Sequence, residues 1–226
     1  MTTKLNKSQQ LFEAFCASNS ILIYPIKQSS IPGKKTSDYE IYISGYRVVV
    51  EVKQLDPNPE DKKFISGFQK TGSATITLEP GHRVRKAIDE AMPQLKTSSC
   101  GSVPTLIVLY NNIPLSPPYL DPQHILTAMY GIEKVIIIPP EPLPNYPLRW
   151  FHIFAEKRKV SPKYNTTLSA LSVIYQNDKD RIILNVYQND FATHHLEPNW
   201  LRTPSIHYFR LGPVANMGGL RTWIEI

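Results

Sequence analysis

The stretch SDYEIYISGYRVVVEVKQ, residues 37–54, constrains the fold of this chain more than any other. Two runs of alternating polarity flank Ser44 and Gly45, a pair suited to a two-residue hairpin loop. With that loop Asp38 stands opposite Glu51, and strand alternation puts Glu40 and Lys53 on the same face. Tyr39, Ile41 and Ile43 from one strand and Tyr46, Val48, Val50 and Val52 from the other then make an apolar counterface. A loop at Gly45 and Tyr46 keeps both faces but opposes Glu40 to Glu51 and Asp38 to Lys53, so the residue that faces Glu51 stays open.

Two carboxylates placed opposite each other destabilise a hairpin unless something neutralises them. A divalent cation does so naturally. Magnesium takes one or two carboxylates together with water and phosphate oxygens, and such a site activates a water for attack on phosphorus. The Lys53 ammonium beside it is placed to position or deprotonate that water, or to stabilise charge building on the phosphate.

The rest of the chain reads as an α/β protein with a mixed sheet. Ser8 is a plausible N-cap for a helix through about residue 17, with Leu11, Phe12 and Phe15 on one stripe. Residues 21–26, ILIYPI, read as a short strand whose Pro25 favours a sheet edge. Residues 55–81 carry early breakers and then FISGF and SATITLE, a long insertion that suggests a small hairpin of its own. Residues 81–96 make the clearest helix, with Val84, Ile88, Ala91, Met92 and Leu95 at helical spacing and Pro93 expected to kink it or limit its last turn. PTLIVLYNN and KVIIIPP read as sheet strands covered on both faces. Asp121 caps a short helix between them, and from residue 146 the pattern is strand-rich, with a hairpin across NDKD.

Composition narrows the classes. The chain has 226 residues and a formal net charge of +6, which suits an anionic partner such as nucleic acid. No apolar run approaches membrane-spanning length, and the amphipathic first twenty residues lack the core of a signal peptide, which points to the cytoplasm. Cys16 and Cys100 lack partners at metal-binding spacing and read as buried small hydrophobes. A Gly-rich phosphate loop, a Gly-X-Ser-X-Gly elbow and a His-Glu-X-X-His helix are all missing.

Asp38 at the start of one strand and Glu51-Val52-Lys53 at the end of the next, after a helix carrying Glu13 and before a helix and a strand, resemble the PD-(D/E)XK nuclease superfamily. The resemblance extends to about residue 112, and Ser37 departs from it by replacing the proline before the aspartate. It implies a restriction-endonuclease-like core over residues 1–145, with residues 146–226 as a β-rich C-terminal extension packed on it or continuous with it. Asp38, Glu51 and Lys53 are then the catalytic residues. Asp38 and Glu51 hold magnesium or manganese, with Glu13 and Glu40 as further candidate ligands.

The implied activity is hydrolysis of phosphodiester bonds in nucleic acid, DNA in preference to RNA. The alternative is a nuclease-like fold without catalysis that binds nucleic acid or a protein partner; a homodimer is compatible with either. His82, Arg83, Arg85 and Lys86 on the second helix offer a phosphate-contacting patch, against a plain solvated face, and Lys62 and Lys63 in the insertion can embrace a strand. Gln94 can orient substrate, a plain surface glutamine being the simpler reading.

Overall fold

The computed structural model describes residues 5–33, 35–115, 118–138, 149–154, 156–213 and 221–226. At its centre lies the hairpin of β2 (Tyr39–Ile43) and β3 (Tyr46–Leu55). Ser44 and Gly45 both take left-handed φ angles, 50° and 83°, as a two-residue type I′ loop demands. Ile43 accordingly pairs with Tyr46 and Tyr39 with Val50, which is the register that carries Asp38 towards Glu51. β2 begins at Tyr39, so residues 51–55 of β3 run on past it and leave a notch at that end of the sheet.

Around this hairpin stand α1 (Lys7–Ser18), β1 (Leu22–Pro25), α2 (Pro59–Thr71), α3 (His82–Ser99), β4 (Thr105–Asn111) and α4 (Pro122–Tyr130). There follow β5 (Glu133–Ile138), β6 (Arg149–Phe154), β7 (Ala170–Gln176), β8 (Ile182–Gln188), β9 (Ile206–Leu211) and β10 (Trp223–Glu225). Among the described residues, eight strands form one mixed sheet in the order β1-β2-β3-β4-β7-β8-β9-β10. β3, β4 and β7 run parallel at its middle; β1, β2 and β3 are antiparallel on one side, and on the other β8 is antiparallel to β7 and parallel to β9, which pairs antiparallel with β10. Helix, three strands, helix and strand follow one another in the expected order once α2, an additional helix between β3 and α3, is set aside, and the later strands β7–β10 extend the same sheet. The boundary at residues 145 and 146 lies outside the described residues.

The sheet has a core on each face. Phe12, Phe15 and Cys16 of α1 pack on Tyr39, Ile41, Val48, Val50 and Val52, the apolar counterface of the hairpin. On the opposite face, Val84, Ile88, Met92 and Leu95 of α3 cover Val49, Ile107 and Leu171. Alternation thus sends Glu51 and Lys53 towards α3.

Several local expectations are corrected. α1 is capped by Asn6, whose side chain accepts from Gln9 N while Gln9 reaches back to Asn6 N; Ser8 is buried inside the first turn. The insertion forms a helix and no hairpin. Asn58 and Asp61 make a reciprocal capping box, Pro59 starts the helix, and Gly72 ends it at φ 74°. The residues read as breakers are a helix start, and the segment 73–79 is neither helix nor strand.

Pro93 does not limit the last turn of α3, which runs three residues past the expected end at residue 96, to Ser99, because Ala91, Met92 and Leu95 anchor it in the core on both sides of the proline. KVIIIPP is not a strand of the main sheet: β5 pairs with β6 in a separate ribbon, and Ile136 is exposed. Its place beside β4 is taken by β7. Cys16 is buried as expected, but Cys100 caps the end of α3 in the open.

Gly81 opens α3 at φ +70°, and a Cβ there would meet the main-chain N of Ala128 at 2.8 Å and the carbonyl of His124 at 2.9 Å. Gly81→Ala is therefore expected to cost about 2–3 kcal/mol, from left-handed strain and from separation of α3 and α4. A shift of the urea unfolding midpoint measures it; an unchanged midpoint contradicts the close approach.

Candidate active site

The notch at the end of β2 is closed by the Asp38 side chain. Where β2 leaves the ladder, Asp38 Oδ2 accepts the main-chain N–H of Val52 at 2.9 Å in place of a strand partner. Oδ1 accepts from Gln9 Nε2 of α1 at 3.0 Å. The carboxylate is thus fastened to both β3 and α1, beside Glu51.

Glu51 is 1% exposed. Its Oε1 meets Lys53 Nζ at 2.7 Å, while Oε2 is buried with no hydrogen-bond partner among the described residues. A buried carboxylate oxygen without a donor is costly. Burial, and then the negative charge of Asp38, push the Glu51 carboxyl up to about 7, although the bond and charge of Lys53 and the nearby main-chain N–H of Asp38 oppose the shift. Burial also raises Asp38, against the Val52 N–H, the charge of Lys53 and the Gln9 amide. Two acids whose ionised forms disfavour each other, with one bare oxygen between β3 and α3, form a site short of positive charge.

Lys53 Nζ also donates to Gln94 Oε1 at 3.0 Å, and Gln94 Nε2 is held by the carbonyl of Thr36 at 3.2 Å. An ammonium has three protons to donate; with two committed to fixed acceptors, the third is left for an oxygen arriving from the cleft. Gln94 is thus no plain surface glutamine, and Gln9 is a site residue that the sequence reading missed. A signal was present: Gln9 lies one helical turn before Glu13 on the helix that covers the hairpin.

The remaining candidates divide. Glu13 accepts from Tyr39 OH at 2.8 Å on the α1 face, turned from Glu51. Glu40 pairs with Arg47 at 2.7 Å. Among the described residues no group of three or more His, Cys, Asp or Glu is placed to hold a metal ion, so the acids brought together are Asp38 and Glu51.

Lys53, His82, Arg83 and Lys86 line one cleft of about 350 Å³ with Asn58 and Glu90. His82 and Lys86 are exposed there, with side-chain exposures of 62% and 70%. Arg83 is fastened to Asp61 at 2.7 Å and to the Asp56 carbonyl at 2.7 Å. Arg85 is buried and bound to Glu79 and the Pro80 carbonyl, since a helix sends residues two apart to different sides. Lys62 and Lys63 are exposed on α2, away from the acid pair.

No protein-family model matches the chain, and no curated protein does. Among solved structures it is similar to SfsA of Pyrococcus furiosus in complex with Ca2+, at 14% sequence identity and a TM-score of 0.26. The match covers 78% of this chain and 58% of that chain, so the chain spans less than two thirds of SfsA. A likeness that low transfers no residue role. No helix among the described residues is long and apolar enough to cross a membrane.

Proposed function

We propose that the chain is a magnesium- or manganese-dependent nuclease that hydrolyses phosphodiester bonds of nucleic acid, DNA in preference to RNA. The observation that carries this reading is the unpartnered, buried Oε2 of Glu51 beside a second carboxylate, Asp38, with Lys53 at 2.7 Å from the other oxygen. Hard oxygen donors with a deficit of positive charge suit such a cation, so Asp38 and Glu51 would hold it. Bound there, a divalent cation polarises a phosphate oxygen and lowers the pKa of a water.

The chain's own residues supply the rest. Lys53, oriented by Glu51 and Gln94, offers its remaining proton to a non-bridging phosphate oxygen as negative charge accumulates. Gln9 and the Val52 N–H keep Asp38 from rotating out of the notch. His82 and Lys86 sit along the cleft where neighbouring phosphates would lie.

The absence of a third acid beside Asp38 and Glu51 among the described residues favours a second reading, a fold that binds nucleic acid without cutting it. Incubating the purified protein with supercoiled and linear DNA and with RNA decides between them. Cleavage that needs added magnesium or manganese and stops with EDTA is expected. Cleavage indifferent to EDTA, or binding without cleavage in either metal, overturns the nuclease reading.

A further inference from the structure

The cleft at Lys53 does not end at α3. His82 and Lys86 are shared with a second hollow of about 480 Å³, whose far bank is formed by Lys157, Arg158 and Lys159. We propose that these two hollows form one groove that carries a nucleic-acid strand away from the acid pair, past His82 and Lys86, to a phosphate contact at Arg158. This rests on the nucleic-acid reading above and adds the direction in which the strand runs.

The far bank is rigid although it lies between strands. Lys159 N donates to the carbonyls of Ala128 and Met129 at 3.1 and 2.9 Å, and Ile132 N donates to the Glu156 carbonyl at 3.2 Å. Gly131, at φ +92°, lets this segment approach so closely that a Cβ there would meet the Glu156 carbonyl at 2.6 Å. Lys157 and Lys159 then fasten the segment to the α3 side, through Glu79 at 2.7 Å and Asp89 at 2.6 Å. Arg158 between them is exposed and has no ion pair or hydrogen bond among the described residues.

Charge bookkeeping favours an anion in this groove. Glu79 alone faces Arg85 at 2.6 Å, Lys157 at 2.7 Å and His82 at 3.9 Å. Lys86 has only a loose partner, Glu90 at 4.0 Å. Positive charge is left over on both banks, Lys86 on one and Arg158 on the other, on elements that do not need to move. Phosphates spaced along a strand match such an arrangement, and an arginine can hold one through two donors.

The test is binding of a labelled oligonucleotide, single-stranded and duplex, in EDTA, where no metal-dependent cleavage interferes. Lys86→Glu combined with Arg158→Glu is expected to weaken binding about tenfold or more and to lower the log–log salt slope by about two. The neutral pair Lys86→Gln and Arg158→Gln should weaken it in the same direction but less. Lys96→Glu, at the other end of the same helix, should change neither quantity.

Wild-type binding that the double variant retains, an equal loss with Lys96→Glu, or no binding by the wild type overturns the groove. Cleavage is scored separately. Groove-dependent binding without any metal-dependent cleavage leaves the groove standing and removes the catalytic reading, whereas cleavage unaffected by the double variant does the reverse.

Discussion

Glu51→Gln is expected to abolish cleavage and, at the same time, to make the metal-free protein more stable at alkaline pH. On the proposed nuclease reading, the first effect follows from removing the charge of a proposed ligand and of the acceptor that orients Lys53, worth several kcal/mol at the transition state and on the order of 10³-fold or more in rate. The second follows from burial. In the unfolded chain a glutamate titrates near ~4.3; in the fold, burial and the charge of Asp38 raise it to about 7.

Between those values the folded state holds a proton that the unfolded state has lost. Stability therefore falls as pH rises through this window, and the deficit is complete above about 7. The gap corresponds to about 3–4 kcal/mol. A glutamine cannot ionise and escapes it. Thermal unfolding in EDTA should show Glu51→Gln gaining on the wild type from acid to alkaline pH. Magnesium should then raise the wild-type transition and leave that of the variant in place. A variant less stable than the wild type in EDTA at alkaline pH contradicts the costly buried carboxylate.

The parts of the site that a sequence displays are those governed by strand parity. Alternation assigned Glu51 and Lys53 to one face and Tyr39, Ile41, Val48 and Val50 to the other, and the packing of α1 and α3 agrees. The open question of which acid faces Glu51 depended on the loop, and left-handed angles at Ser44 and Gly45 answer it in favour of Asp38. What parity does not show is what a side chain does after it leaves the strand. Glu40 lies on the acid face by parity, yet Arg47 on the neighbouring strand binds it.

Long-range partners were equally hidden. Arg83 and Arg85 are two positions apart in a basic run, but one is claimed by Asp61 on α2 and the other by Glu79. Neither acid stands out in the sequence as its partner. Asp61 was also masked by its neighbours: Pro57, Asn58 and Pro59 read as breakers, although Asn58-Pro59-Glu60-Asp61 is the pattern of a capped helix start. β5 was misread for another reason. An apolar run of six residues has the composition of a central strand whether or not the sheet has room for it, and the position beside β4 is filled by β7.

Asp61→Ala should be among the most destabilising single changes in this chain, at about 3–5 kcal/mol. Asp61 is fully buried, and its two oxygens serve three partners. Oδ2 accepts from Arg83 at 2.7 Å and from Asn58 N at 2.9 Å, and Oδ1 accepts from Tyr119 OH at 2.5 Å. Burial alone would raise the carboxyl, but the bonds from Tyr119, Asn58 and Arg83 outweigh it and hold the pKa below the usual range.

Alanine leaves the Arg83 guanidinium, 14% exposed and stacked over the Tyr119 ring at 5.2 Å, without its counter-charge. It also unties α2 from α3 and removes the return half of the α2 capping box, the bond to Asn58 N. Tyr119→Phe removes one hydrogen bond and should cost about 1–2 kcal/mol. Because the folded pKa is depressed, the Asp61 contribution is complete above the unfolded carboxylate value of ~3.9 and disappears as pH falls through the folded one. The deficit of Asp61→Ala should therefore be full at neutral pH and shrink in acid. Since Arg83 lines the cleft beside Lys53, oligonucleotide binding should weaken in the same variant at temperatures where it is still folded. Urea unfolding at neutral pH measures the stability change, and a loss below about 1 kcal/mol would mean that α2 is fastened to the sheet by other contacts.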